Sequence, residues 1–250
     1  AFDLVTGCCC SPIKIFRKRL HIQFLLALTE AVHLVSIFCE NARQGLAKCS
    51  QHFSPLMRIR NFWYTLFMTL ILIGGVPRTG KTTLAKKIAN DLNISWMSTD
   101  VLESIAHQYT PTEKRDELFP KSVMRRKTNR SNDEFYSTYS IPEIIDSYET
   151  QAKTVSSAIK VLAVYANKEG WGYVVEGYHI TPLLLAKLHD AGINFTSVIL
   201  VNTDPKEAIE KSRQSDVKND WLRDNTQNEE TYTKICEGIR EYSDRLIQQS

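Results

Sequence analysis

Cysteine is nearly missing from most of this chain. Five of the six, Cys8, Cys9, Cys10, Cys39 and Cys49, lie within the first 67 residues, and Cys236 stands alone after them. A single thiol cannot build a disulfide framework, so residues 68–250 suit a reducing, cytoplasmic setting. No C-x-x-C unit pairs with a second one, which removes the usual thiolate zinc site; the triplet at 8–10 leaves acylation or metal binding open. Long apolar runs are also lacking. The stretch 20–39 is broken by Gln23, Glu30 and His33, and the run from Phe62 to Gly74 is too short to cross a bilayer. Basic residues at 14–19 ahead of an apolar stretch imitate a signal anchor, but nothing downstream is equipped for export. No membrane association is expected of residues 68–250.

Charge of one sign is short as well. Residues 1–67 hold eight Lys/Arg against Asp3, Glu30 and Glu40, whereas 23 basic and 25 acidic residues follow, so the net charge of +3 arises in the first segment. The remainder has no positive excess with which to track a nucleic-acid backbone, and nucleic acid is not expected as a partner. The two parts read as separate. Residues 1–67 are expected to be an N-terminal extension without stable order, outside the natural coding sequence if Met68 is the start. Residues 68–250 are expected to form one domain, large enough for a real core.

What is present is a complete G-x-x-x-x-G-K-[ST] pattern: Gly75, Val76, Pro77, Arg78, Thr79, Gly80, Lys81 and Thr82. Such a loop wraps a polyphosphate in backbone N–H groups, with glycine where the chain folds tightly, a lysine for the β and γ phosphates, and a hydroxyl for Mg²⁺. The context agrees. Residues 69–74 form a short apolar run suited to a strand buried on both faces, and Leu84, Ala85, Ile88, Ala89 and Leu92 recur at helical spacing. The loop therefore sits at a helix N-terminus, where the macrodipole favours anions.

Elements alternate after the loop. A short strand over 94–98 ends near Asp100, residues 110–139 look charged and irregular, and Ser140 to Glu143 read as a capping box opening a long helix that Gly170 ends. A third strand covers 172–176. Thr181 and Pro182 start a helix to 190, a fourth strand covers 195–201, Asp204 to Glu207 resemble another cap, and a last helix spans 229–247. This order predicts a three-layer α/β fold with a mainly parallel sheet. No fifth strand is visible, so the sheet is expected to lack its last strand.

Phosphoryl transfer asks for a donor cradle, Mg²⁺, a group to orient the acceptor and cations over the moving phosphoryl. The residues from Gly75 to Thr83 supply the cradle, Lys81 the neutralising charge, and Thr82 a metal ligand. Asp100, at a strand's carboxyl end beside the loop, is placed to take a proton from a substrate hydroxyl, or else to cap the following helix. Glu176 ends the third strand and is the candidate second metal ligand, while Gly177 would let the backbone approach a ligand. His179 reads as a buried structural histidine. Lys211, Arg213, Lys218 and Arg223 occupy a polar stretch expected to close as a lid, with Arg213 and then Arg223 as the cations to act on the phosphoryl. Lys121, Arg125, Arg126, Lys127 and Arg130 form a positive run that either draws an anionic acceptor or is simply hydrated.

Residues 74–85, the Ser98 to Leu102 segment, the Glu176 to His179 segment and Asp204–Pro205 together resemble small P-loop kinases of the nucleoside-monophosphate-kinase-like fold, with 2-phosphoglycerate kinases, zeta-toxin-type kinases and chloramphenicol phosphotransferase nearest in pattern. The resemblance spans about Met68 to Ser250, and only the loop is highly specific. It implies ATP and Mg²⁺, a small-molecule hydroxyl acceptor that includes anionic metabolites, Asp100 as base or anchor, and lid arginines. A nucleotide or polynucleotide kinase and a non-catalytic nucleotide-binding module are the alternatives. A GTP switch would carry N-K-x-D, which is absent, and an AAA-type motor would need a helical lid domain for which no room remains.

Overall fold

The computed structural model describes residues 70–214, 216, 218 and 220–250, together with the backbone of Ile13–Arg17. Five strands form one all-parallel sheet: β1 (Ile13–Arg17), β2 (Leu70–Gly75), β3 (Ser95–Ser98), β4 (Tyr173–Glu176) and β5 (Thr196–Val201), in the spatial order β1-β5-β2-β4-β3. The fold class expected from the sequence is the one observed. The sheet nevertheless has five strands: the outer edge of β5 is occupied by β1, from the first segment, with Ile13 level with Ser197 and Arg17 with Val201. The other expectations placed on residues 1–67 lie outside the described residues.

Alternation of side chains along β2 builds two cores. Leu70 and Leu72 face one layer and Ile71 and Ile73 the other, as a period of two requires. Against the second face packs α1 (Lys81–Leu92), through Leu84, Ala85, Ile88 and Ala89. The first face carries α6 (Ile141–Glu169), α7 (Pro182–Asp190) and α9 (Glu229–Gln248), which bury Val155, Ile159, Leu185, Leu188, Ile235 and Ile239. The connections β2 to β3 and β3 to β4 run in opposite directions across the sheet and lie on opposite faces, as a shared crossover hand demands.

Local signals behave as chemistry dictates where they are strong. Ser140 and Glu143 form the reciprocal capping box of α6, and Gly170 ends that helix in the left-handed region. Thr181 caps α7 by accepting from the Leu184 amide. At α8 (Lys206–Arg213) the expected cap does not form: the helix starts after Pro205 without a side-chain cap, and the Asp204 amide turns back to Asn202 Oδ1 at 3.2 Å.

The crossover over 110–139 departs most from expectation. After α2 (Thr99–Tyr109) it folds into α3 (Thr112–Leu118), α4 (Pro120–Lys127) and α5 (Asn132–Thr138). Each is only seven or eight residues long, too short to repeat an apolar stripe; α3 buries none of its own residues, and Phe119 lies at its junction with α4. Phe119, Val123 and Phe135 are buried, and Pro120 opens α4 with its fixed φ.

Candidate active site

The loop begins where β2 leaves the sheet. A Cβ at Gly75 would lie 1.9 Å from the Leu200 carbonyl oxygen, and its φ of 123° is closed to other residues, so only glycine lets this junction run against β5. The Val76 amide donates to that same oxygen at 3.1 Å. Thr79 Oγ1 donates to the Val76 carbonyl at 2.9 Å, and Gly80 accepts from the Leu84 amide to begin α1. Val76 and Thr79 are buried, Pro77, Arg78 and Gly80 half-buried, and Thr82 and Thr83 exposed at the head of the helix.

Three charged groups meet here. Lys81 Nζ donates to the Val76 carbonyl at 2.6 Å, so the lysine folds back over its own loop. Shielding from solvent pulls its ammonium down to about 8, against the opposing pull of Glu176 and Asp100. Register explains their proximity: Glu176 at the end of β4 lies level with Ile73 on one side and Ser98 on the other. Its carboxyl is buried, which raises its pKa, while Lys81 and a hydrogen bond from Thr82 oppose the rise. Thr82 Oγ1 donates to Glu176 Oε1 at 3.1 Å. A hydroxyl beside an enclosed carboxylate is an all-oxygen donor pair of the kind that hard divalent cations take, so these residues fit Mg²⁺.

The Asp100 side chain does not cap the helix that carries it. Ser98, not Asp100, is the N-cap of α2, its Oγ accepting from the Asp100 amide at 3.3 Å. Asp100 is exposed in the first turn. Behind it lies a cluster that sequence reasoning largely missed. Glu103 accepts from Lys121 Nζ at 3.1 Å, Tyr178 OH at 3.0 Å, Ser122 Oγ at 3.1 Å and His179 Nε2 at 3.0 Å. Burial pushes the Glu103 carboxyl up, but His179 and Lys121 overcome it and hold it well below the glutamate range. Because the carboxylate only accepts, His179 carries its proton on Nε2 and Nδ1 accepts from Thr99 Oγ1 at 2.7 Å. His179 is fully buried with its pKa lowered by that burial, in keeping with a structural histidine.

Two expectations need correction. Gly177 serves Thr99 rather than a ligand: a Cβ there would fall 1.8 Å from Thr99 Oγ1. The positive run is largely engaged within the fold, since Lys121 meets Glu103 and Tyr178, Arg125 donates to Asn132 Oδ1 at 2.8 Å and to the Arg130 carbonyl at 2.6 Å, and Arg126 pairs with Asp116. Lys127 and Arg130 are exposed.

The polar stretch after α8 is also more fixed than a lid suggests. Leu222 and Thr226 are buried, and Asn132 Nδ2 donates to the Trp221 carbonyl at 3.1 Å and to Thr226 Oγ1 at 2.8 Å. Arg213 pairs with Glu229 and Glu210 and lies over the Tyr232 ring, while Lys211 pairs with Glu207. Arg223 pairs with Asp224 at 2.8 Å, and Lys218 is exposed. The arginine that links this stretch to the phosphate loop is Arg78, from the loop itself, bonded to Asp220 by both terminal nitrogens.

Comparison with known proteins follows the same lines. The family described as "ATPase family associated with various cellular activities (AAA)" matches residues 71–145, the loop and the helices after it. A 2-phosphoglycerate kinase of Thermococcus kodakarensis is 27% identical over 113 residues, 45% of this chain and 37% of that protein. Its counterpart in Pyrococcus furiosus is 30% identical over 115 residues, 45% of this chain and 36% of that protein. The chain thus spans little more than a third of the length of these relatives. A gluconokinase structure from Sinorhizobium meliloti 1021 aligns over 74% of this chain and 98% of its own, at 13% identity and a TM-score of 0.35. With β2, the loop and α1 in sequence, a parallel sheet between two helical layers, and kinases as its curated relatives, this chain has the P-loop kinase fold.

Proposed function

We propose that this chain transfers the γ-phosphoryl group of MgATP to a hydroxyl of a small molecule. The observation that carries the reading is the meeting of Lys81, Thr82, Glu176 and Asp100 at the carboxyl ends of β2, β3 and β4. That rim is where open parallel sheets bind their ligands. The loop amides and the head of α1 hold the donor phosphates, and Lys81 leaves the Val76 carbonyl to meet them. Mg²⁺, held by Thr82 and Glu176 when bound, neutralises the phosphate oxygens. Asp100 accepts the proton of the attacking hydroxyl.

Arg213 and Arg223 are proposed as cations for the transferring phosphoryl. Arg213 must first exchange Glu229 and Glu210 for the nucleotide. The names of the curated relatives put 2-phosphoglycerate first among acceptors to try, and anionic hydroxy acids as the class. Among the described residues no helix is long and apolar enough to cross a membrane.

The test follows ADP release from MgATP over a panel of hydroxyl acceptors. Release that depends on one acceptor supports a kinase. Release without any acceptor points to an ATPase, and tight binding with no release to a regulatory module; either result would remove the proposal.

A further inference from the structure

Trp221 departs from its surroundings. Asp220 and Leu222 on either side are buried, and the Trp221 carbonyl is held by Asn132 and by Asn225 Nδ2 at 3.1 Å, yet the residue is 39% exposed. A lone exposed aromatic ring is ordinary. Its position is what matters.

Arg78 belongs to the phosphate loop and adopts a left-handed backbone, φ 60°. Its guanidinium leaves the loop for Asp220, with Nη1 to Oδ2 at 2.8 Å, and its Cζ lies 5.1 Å from the centroid of the Trp221 ring. One arginine side chain therefore spans the distance between the triphosphate cradle and the indole. The Asp220 carboxylate is fixed in turn, accepting from the amides of Leu222 at 3.0 Å and Arg223 at 3.2 Å. Burial raises its pKa, and Arg78 with those amides more than reverses the rise. Ring, guanidinium and carboxylate form one contiguous group at the loop's rim.

We infer that Trp221, steadied by the Arg78–Asp220 pair, is the surface on which the base of the bound nucleotide stacks. The inference rests on the loop being a triphosphate site. Every nucleobase presents a π face, and an aromatic ring beside a guanidinium holds such a face without reading its edge. Such a surface separates a nucleoside triphosphate from bare polyphosphate, and separates one base from another only weakly.

Calorimetry on the full chain with magnesium ATP and with magnesium tripolyphosphate tests this. ATP should bind at least about tenfold more tightly than tripolyphosphate, as loss of a stacked base implies. Trp221→Ala should close that gap and leave tripolyphosphate affinity unchanged, which also reports that the loop is still folded. Trp221→Phe should restore most of the difference, and the Trp221 share of the fluorescence, found by subtracting this variant, should change with ATP and not with tripolyphosphate. Equal binding of both ligands by the wild type, or equal weakening of both by Trp221→Ala, would overturn the inference while leaving the loop's role intact. Failure of the wild type to bind either ligand would overturn the loop reading and this inference with it.

Discussion

At the scale of single residues the proposed base is Asp100, which lies in the first turn of α2 while Ser98 provides the cap. Asp100→Asn should lower turnover by about 10²–10⁴-fold, the usual contribution of a positioned base, with ATP affinity nearly unchanged. Steady-state kinetics beside calorimetry would decide it, and near-normal turnover would remove Asp100 from the mechanism. Glu103 supplies a second prediction. Its folded pKa lies below its ordinary value near 4.5, so its ionised form stabilises the fold above that pH. As pH falls through and below that value the unfolded chain takes up the proton first, and the stabilisation is lost. Glu103→Gln should therefore be less stable at pH 7, by on the order of 2 kcal/mol for hydrogen bonds to a charged group, with the difference shrinking toward pH 3. Denaturant titrations across pH would measure this. The positions of Asp100 and Glu176 were legible in the sequence because Glu176 ends β4 and Asp100 follows the end of β3 by two residues, so the parallel sheet brings both to one rim. Glu103 was not, because its partners come from α4 and from residues beyond β4, and no local pattern announces a contact 75 residues away.

Elements tell the same story of local against distant causes. The strand, loop and helix around Lys81 could be read directly, since each is specified by its own residues. The helices α3, α4 and α5 could not, since none, one and two buried residues respectively leave no periodic trace. The stretch from Asp220 to Thr226 looked like a free lid for a related reason: its anchoring group, Asn132, lies on α5, far away in sequence. Asn132→Ala should destabilise the fold by about 1–3 kcal/mol, the cost of leaving buried partners unsatisfied, and thermal unfolding would register it. Arg213→Ala and Arg223→Ala bear on what motion remains. Each should reduce turnover by at least about tenfold with ATP affinity little changed if the arginine engages only the transferring group, and unaltered kinetics would exclude that arginine.

For the whole molecule, the sheet edge is the telling feature. Pairing of Ile13–Arg17 with β5 places part of the first segment within the sheet. Removing residues 1–67 should leave the outer edge of β5 unpaired, so that those amides within 197–201 that face β1 exchange with solvent about tenfold faster or more while those that face β2 stay protected, and the proposed magnesium ATP affinity is retained. Unchanged exchange would show that this pairing contributes nothing in solution.

The strand order has a last consequence. β2, which bears the phosphate loop, is hydrogen-bonded on both sides, whereas β3, which leads to Asp100, lies at the rim. Thermal fraying starts at rims. Under the proposed function, gentle warming should therefore silence turnover while the nucleotide is still gripped, leaving a heat-inactivated protein that remains a competent ATP trap.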